Sequence, residues 1–323
     1  MPPIPFIDAD TIRAAVPVAD LLDAIDAAYR DVAAGRDRSP LRTHVGLEGG
    51  DLLLMPGVRE AGRGTTVKLV TIMPRNPDRG LPTLHAVVVW IDAVTGTPVA
   101  LLDGSTVTAM RTGAASGVAT RLLARPDAET LAIIGAGGQA EWQVRAVVAA
   151  RPIRRVLVHA RTAAAREAFA ERMAAETGIE VRATAHARDA VAEADVVCCA
   201  TTSSEPVFAA EWIRPGTHVN GIGAFRLGMV ELPPALFARA ALVAVDSREA
   251  AAAEAGDVMA AVEQGLIGVD GLVEIGSVSP DWSASRDGQA ITAFKSVGLA
   301  IQDVAAAELI VDRVLGNRAG PPG

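Results

Sequence analysis

Between residues 131 and 245 the chain alternates short, nearly continuous apolar runs with alanine- and arginine-rich stretches of helical character. The runs cover residues 131–134, 156–158, 195–200, 218–222 and 242–245. Strands covered on both faces read as unbroken Val, Ile, Leu and Ala, so this rhythm predicts a parallel, doubly wound sheet. The first third of the chain has another texture. Apolar positions recur at helical spacing over Val18–Ala33, predicting an amphipathic helix. Strand-like segments follow at 51–55, 65–73, 84–92 and 99–103, separated by turn residues such as Asn76-Pro77-Asp78 and Thr95-Gly96. Connections this short favour antiparallel pairing, which predicts a mixed α/β lobe. Ser105 or Thr106 is placed to cap a long helix running to Ala124, whose small residues Gly113, Ala114, Ala115, Ser116 and Gly117 suit close packing. Residues 291–315 read as one further long helix.

The apolar run Leu131-Ala132-Ile133-Ile134 leads directly into Gly135-Ala136-Gly137-Gly138-Gln139-Ala140 and then into helical pattern. A G-x-G-x-x-G/A match between a strand and a helix is a dinucleotide fingerprint, whereas the bare motif is weak. Gly135 suits the tight turn, Gly137 the approach of a pyrophosphate, and small Ala140 the close packing of helix on strand. The N–H groups at the helix start then face the phosphates. About 20 residues past the glycines, NAD enzymes carry an Asp or Glu for the ribose hydroxyls. Here the second strand ends in His159-Ala160-Arg161-Thr162, without a carboxylate. Arg161 pairs readily with a 2′-phosphate and Thr162 donates a hydrogen bond to one, so NADP(H) is expected over NAD(H). The alternative for Arg161 is a solvated loop arginine.

Composition narrows the field. Aromatic residues make up 3% of the chain and the net charge is −8, which argues against base-stacking platforms and against nucleic-acid or anionic-membrane partners. No apolar run approaches the roughly 20 residues of a membrane span. Met1-Pro2-Pro3-Ile4-Pro5 has neither the basic nor the apolar region of a signal peptide, so a soluble cytoplasmic protein is expected. Adjacent Cys198 and Cys199 sit in an apolar run and read as buried structural residues. The five histidines are scattered without metal-ligand spacing, so no metal is expected.

Three cations outside the glycine-rich half attract attention: Arg42, Lys68 and Arg111. Lys68 interrupts Thr65-Thr66-Val67-Lys68-Leu69-Val70-Thr71, a largely apolar strand. A lysine there is costly unless it meets an anion or a polar cleft; the alternative is an edge strand with the ammonium in water. Arg111 lies among small residues, suggesting a pocket wall; the alternative is a plain solvent-facing arginine. If the three converge, they form a cage for the carboxylate of an α-amino or α-imino acid.

Taken together, these residues resemble the ornithine cyclodeaminase/mu-crystallin family. The resemblance runs from about Arg42 to Asp303 through Leu53-Leu54-Met55-Pro56, Val67-Lys68, Leu81-Pro82-Thr83, Ile91-Asp92-Ala93-Val94-Thr95-Gly96-Thr97-Pro98 and Leu102-Asp103-Gly104. It continues through Thr108-Ala109-Met110-Arg111-Thr112-Gly113-Ala114-Ala115-Ser116, the glycine-rich turn, Ala200-Thr201-Thr202-Ser203, Val219-Asn220-Gly221-Ile222-Gly223 and Phe294-Lys295-Ser296-Val297-Gly298. It implies an α/β fold of a Rossmann doubly wound sheet plus a mixed α/β domain for substrate binding and dimerisation. Residues 1–113, joined by a C-terminal helix at 300–323, are expected to form the latter, and 114–299 the dinucleotide domain. It also implies a homodimer, with Arg42, Lys68 and Arg111 gripping the substrate carboxylate. Thr201 and Thr202 are then expected near the dinucleotide, and Ser296, Val297 and Gly298 near its nicotinamide.

The family's cyclodeaminases place an aspartate where this chain has Phe225, in Gly223-Ala224-Phe225-Arg226-Leu227-Gly228. An aromatic ring is neither acid nor base and disfavours an ornithine ammonium, but it packs well against an imine ring. The expected activity is therefore NADPH-dependent reduction of cyclic ketimine acids to L-proline or L-pipecolate. Lys68 would be the proton donor or electrostatic anchor, and Phe225 part of the substrate pocket. Alternatives are an amino-acid dehydrogenase of the alanine dehydrogenase type, a weakly catalytic NADP-binding protein of the crystallin type, and redox-neutral dehydration of a hydroxyproline.

Overall fold

The structure, a computed structural model, describes residues 3–316 other than residue 61. The chain forms two compact units, one of residues up to Arg111 together with those from Leu299 onward, the other Thr112–Gly298.

In the first unit, β1 (Phe6–Ile7), β2 (Thr43–Leu47), β3 (Gly50–Val58), β4 (Gly64–Ile72), β5 (Leu84–Asp92) and β6 (Pro98–Asp103) form one sheet in the order β1-β6-β5-β4-β3-β2. Strands β2 to β6 are an antiparallel meander, as short turns dictate, and β1 joins β6 in parallel. The sheet's side chains alternate in burial with the period of two that a pleated strand imposes. Leu53, Met55, Thr66, Lys68, Val88 and Trp90 are buried, and the C-terminal helix Ala300–Leu315 packs across β3, β4 and β5 beside the helix Val18–Ala33. The intervening Leu52, Leu54, Val67, Val87 and Val89 are only half-buried and Leu69 is exposed, although all are apolar. The part of the anticipated 300–323 helix at 317–323 lies outside the described residues.

The long helix, Gly104–Leu123, begins immediately after β6. Its cap is Asp103, whose Oδ1 accepts from the Thr106 N–H at 2.7 Å, rather than Ser105 or Thr106. With no linker between strand and helix, the last strand residue takes the capping position, and the Ser105 hydroxyl instead accepts from the Ala86 N–H.

The second unit holds β7 (Thr130–Ile134), β8 (Arg155–His159), β9 (Glu180–Ala183), β10 (Val196–Cys199), β11 (His218–Gly221), β12 (Ala240–Val245), β13 (Leu272–Glu274) and β14 (Ile291–Lys295). All pair in parallel, in the order β13-β12-β14-β11-β10-β7-β8-β9. Read from β9 to β11, this is the Rossmann order 3-2-1-4-5; the last strand, β14, takes the sixth place, with β12 and β13 beyond it on the far edge. Leu131, Ile133, Val144, Val156, Phe169 and Val196 belong to the core between sheet and helices.

The expectation of one helix over residues 291–315 is corrected: Ile291–Lys295 is a strand and the helix starts at Ala300. β14 lies between β11 and β12 and is buried at every position. An apolar run covered on both faces carries no alternation, and in the sequence it merges with the apolar helix that follows. Burial pushes the Cys198 thiol up to about 12 and the His218 imidazole down to about 3, which leaves both uncharged inside the sheet. No helix among the described residues is long and apolar enough to cross a membrane.

Candidate functional site

Lys68 sits on β4, the fourth of six strands, and is 1% exposed, so it is not the solvated lysine of an edge strand. Its ammonium meets the C-terminal helix, with Nζ 2.8 Å from Oδ2 of Asp303. Arg111 donates from Nε to Oδ1 of the same carboxylate at 3.1 Å and from Nη1 to Oε1 of Gln302 at 2.6 Å. Gln302 in turn donates from Nε2 to the Tyr29 hydroxyl. Two consecutive residues of one helix thus fix both cations. Burial first, then the field of Arg111 and more weakly of Arg42, pulls the Lys68 ammonium down to about 7 against the opposing pull of Asp303. Arg42, half-buried just before β2, is therefore within electrostatic reach of Lys68. Two cations share one buried carboxylate, with the field of Arg42 added, and positive charge so concentrated suits an anionic ligand. A lysine poised near neutrality suits proton transfer.

The second unit concentrates its candidates at the carboxyl ends of its parallel strands, where ligands of open α/β sheets bind. Gly135 follows β7 with φ +103°, and a Cβ there would lie 2.6 Å from the Ala200 carbonyl oxygen, so only glycine fits the turn. Gly137 and Gly138 are exposed with open space where a side chain would project, a cradle shaped for backbone contact with phosphate. The helix Ala140–Ala150 starts at Gln139 without a side-chain cap, and Gln139 Oε1 is buried without a partner. The residues present fit a dinucleotide. Arg161 is exposed beyond β8, and the Thr162 hydroxyl accepts from the Ala165 N–H at 3.3 Å as cap of the helix Ala163–Thr177. The capping bond leaves the hydroxyl proton of Thr162 available for an anion. Thr201 and exposed Thr202 follow β10, in the gap where the strand order reverses between β7 and β10.

Ser296, Val297 and Gly298 follow β14, and the Val297 and Gly298 N–H groups both donate to Oδ2 of buried Asp246 at 2.8 Å. Phe225 lies in the loop after β11, half-buried, with the Arg226 guanidinium 5.6 Å from its ring centre. It belongs to the second unit, whereas Arg42, Lys68 and Arg111 belong to the first.

Sequence reasoning missed the acidic half of both sites. Asp303 and Gln302 form a polar pair inside the otherwise apolar start of a helix, and that interruption was the available signal. Lys295 meets the criterion that singled out Lys68, a lysine in a buried strand, and it is 1% exposed. Its Nζ lies 3.2 Å from Asp257 Oδ1 and 3.8 Å from Glu231 Oε1. Among the described residues, no group of three His, Cys, Asp or Glu side chains is placed to hold a metal ion.

The profile of the ornithine cyclodeaminase/mu-crystallin family matches residues 6–318 of the chain. A Δ1-pyrroline-2-carboxylate reductase of Bacillus cereus is 37% identical over 318 residues, covering 97% of this chain and 98% of that protein. Among solved structures, the Δ1-pyrroline-2-carboxylate reductase of Thermococcus litoralis, in complex with NADH and L-proline, superposes with a TM-score of 0.91 at 34% identity, covering 99% of this chain and all of that one (100%). An archaeal alanine dehydrogenase dimer with bound NAD gives a TM-score of 0.87 at 31% identity, covering 98% of each chain.

Proposed function

The chain belongs to the ornithine cyclodeaminase/mu-crystallin family, and from that premise we propose that it is an oxidoreductase acting on C=N bonds. Its substrates are cyclic ketimine acids, Δ1-pyrroline-2-carboxylate or Δ1-piperideine-2-carboxylate, reduced to L-proline or L-pipecolate with NADPH. The observation that carries this reading is the buried cluster of Lys68 and Arg111 on Asp303, with Arg42 in electrostatic reach. The names of the Bacillus and Thermococcus relatives support the substrate class.

The reduced nicotinamide, when bound, supplies the hydride that adds to the imine carbon. The protein's own residues do the rest. Arg111 and Arg42 receive the substrate carboxylate, replacing its water shell with fixed positive charge. Lys68 gives its proton to the imine nitrogen and, with its affinity for that proton lowered to about 7, regains one from solvent near neutral pH. Asp303 keeps the Lys68 ammonium oriented, and Gln302 fixes the plane of the Arg111 guanidinium. Phe225 offers an apolar wall where a cyclodeaminase needs a carboxylate. The first unit is the substrate-binding and dimerisation part and the second the dinucleotide part, the roles assigned to residues 1–113 with 300–323 and to 114–299.

Preference for NADPH rests on exposed Arg161 and on Thr162, with no carboxylate at the end of β8. A homodimer is favoured by the apolar, incompletely buried face of the first sheet around Leu52, Leu54 and Leu69, and the archaeal relative is itself a dimer. A cytoplasmic location is supported by two buried cysteines that form no disulfide.

The test is NADPH oxidation at 340 nm with each imine, repeated with NADH and with pyruvate plus ammonia. Rapid turnover of an imine with NADPH is expected, and Arg161→Asp raises KM for NADPH by about tenfold while leaving that for NADH within about twofold. Silence on both imines with turnover of pyruvate and ammonia overturns the imine reading in favour of an amino-acid dehydrogenase.

A further inference from the structure

A second buried charge cluster lies at the carboxyl edge of the parallel sheet, and no part of the proposed reaction uses it. Glu231, fully buried, reaches two separate loops with its two oxygens. Oε2 accepts from the Thr201 N–H and from the Thr201 hydroxyl, both at 3.0 Å. Oε1 accepts from the Gly223 N–H at 2.6 Å and from the Ala224 N–H at 3.4 Å. Thr201 follows β10 and Gly223 follows β11, so one carboxylate joins the ends of two neighbouring strands. The two loops are in direct contact: a Cβ on Gly223 would fall on the backbone of Thr201. Behind Glu231, Lys295 supplies the counter-charge, and Asp257 holds Lys295 while accepting from the Leu232 N–H at 3.3 Å.

This arrangement has a consequence for the Thr201 hydroxyl. Its proton is committed to Glu231, so its oxygen presents lone pairs alone to whatever lies above the strand ends. One already faces the Ser203 N–H at 3.4 Å. In a Rossmann unit the adenosine half of a dinucleotide belongs to the β7-β8-β9 half and the nicotinamide half to the β10-β11-β14 half. Thr201 and Gly223 border the second.

We propose that Glu231 is a positioning residue for the nicotinamide half of the dinucleotide: it staples the Thr201 and Gly223 loops together and turns the Thr201 oxygen into an acceptor for a ribose hydroxyl or carboxamide N–H. This rests on reading the strand ends as the dinucleotide site. Burial raises the affinity of Glu231 for a proton, Lys295 opposes that by favouring the carboxylate, and Asp257 pushes the same way as burial, so its part is to hold Lys295 in place. A glutamine cannot replace Glu231. All four donors aimed at its two oxygens need acceptors, and an amide would turn its NH2 group toward one pair of them.

The experiment measures affinity without turnover. NADPH and NADH binding is followed by fluorescence of the reduced nicotinamide, and binding of 2′,5′-ADP and 5′-ADP, which carry the adenosine half alone, by calorimetry. Glu231→Gln is expected to weaken the full dinucleotides about tenfold or more while leaving the adenosine fragments within about twofold. Thr201→Val is expected to weaken the dinucleotides about three- to tenfold, and Thr201→Ser to restore them to within about twofold, because serine keeps the hydroxyl. If Glu231→Gln does not fold, the Thr201 pair alone decides. Equal losses for fragments and dinucleotides, or no loss in either, overturn the proposal, as does a wild-type protein that binds no dinucleotide. Wild-type binding with these sensitivities but no imine turnover upholds the staple and overturns the proposed reaction instead.

Discussion

Lys68 and Lys295 are the same residue in the same local setting, each 1% exposed on a strand inside a sheet, and they are balanced in opposite directions. Around Lys68 the cations outnumber the carboxylates: Arg111 shares Asp303 with it and Arg42 adds to the positive field. Around Lys295 the carboxylates outnumber the cation, since Glu231 and Asp257 both face one ammonium. Lys68 and Arg111 both face the single carboxylate of Asp303, an excess of positive charge that favours binding an anion. The surplus around Lys295 is spread over backbone N–H groups of Thr201, Gly223, Ala224 and Leu232, which is the condition for holding loops. A buried lysine is therefore not by itself a catalytic signal. The sign of the charge left over around it separates chemistry from architecture.

The widest separation is expected in activity. Lys68→Met lowers kcat/KM for imine reduction roughly a thousandfold while NADPH affinity stays within about twofold, as steady-state rates and fluorescence titration will show. Activity surviving within a few-fold would remove Lys68 as the proton donor. The next contrast is in stability. Lys295→Met strands two buried carboxylates and is expected to cost about 3–5 kcal/mol in urea unfolding, whereas Lys68→Met costs less because Asp303 keeps Arg111. Equal losses from the two substitutions would erase the distinction.

The pH dependence sharpens the comparison further. With Lys68 near 7, kcat/KM is expected to fall about tenfold per unit as pH rises well above that value, a limb absent from any residual activity of Lys68→Met. The smallest effect is in folding. Between about 7 and the ordinary lysine value of about 10.4, the unfolded chain binds the Lys68 proton and the folded chain releases it. Wild-type stability relative to Lys68→Met therefore rises with pH across that window, and unfolding curves at its two ends measure the difference. A difference that is flat or falling contradicts the lowered proton affinity.

Much of this molecule was legible in the chain. The antiparallel meander followed from turn residues spaced too closely for crossovers, and the parallel sheet from unbroken apolar runs such as Leu131-Ala132-Ile133-Ile134. Lys68, Arg111 and the glycine-rich turn stood out because each conflicts with a bland local pattern. The strand Ile291–Lys295 did not, because covering on both faces removes the alternation that distinguishes strand from helix. Strand β9 was missed for the opposite reason: Glu180-Val181-Arg182-Ala183 lies at the sheet edge, too short and polar to register.

The sequence by itself determined the two textures, the glycine-rich turn and the family, since these depend on neighbours within a few residues of each other. Only the tertiary structure decided which carboxylates complete each charged cluster. Asp303 reaches Lys68 across 235 positions and Asp257 reaches Lys295 across 38, separations at which no local pattern records a partner. Buried ions must be neutralised by something close in space, and closeness in space is what folding adds to the chain.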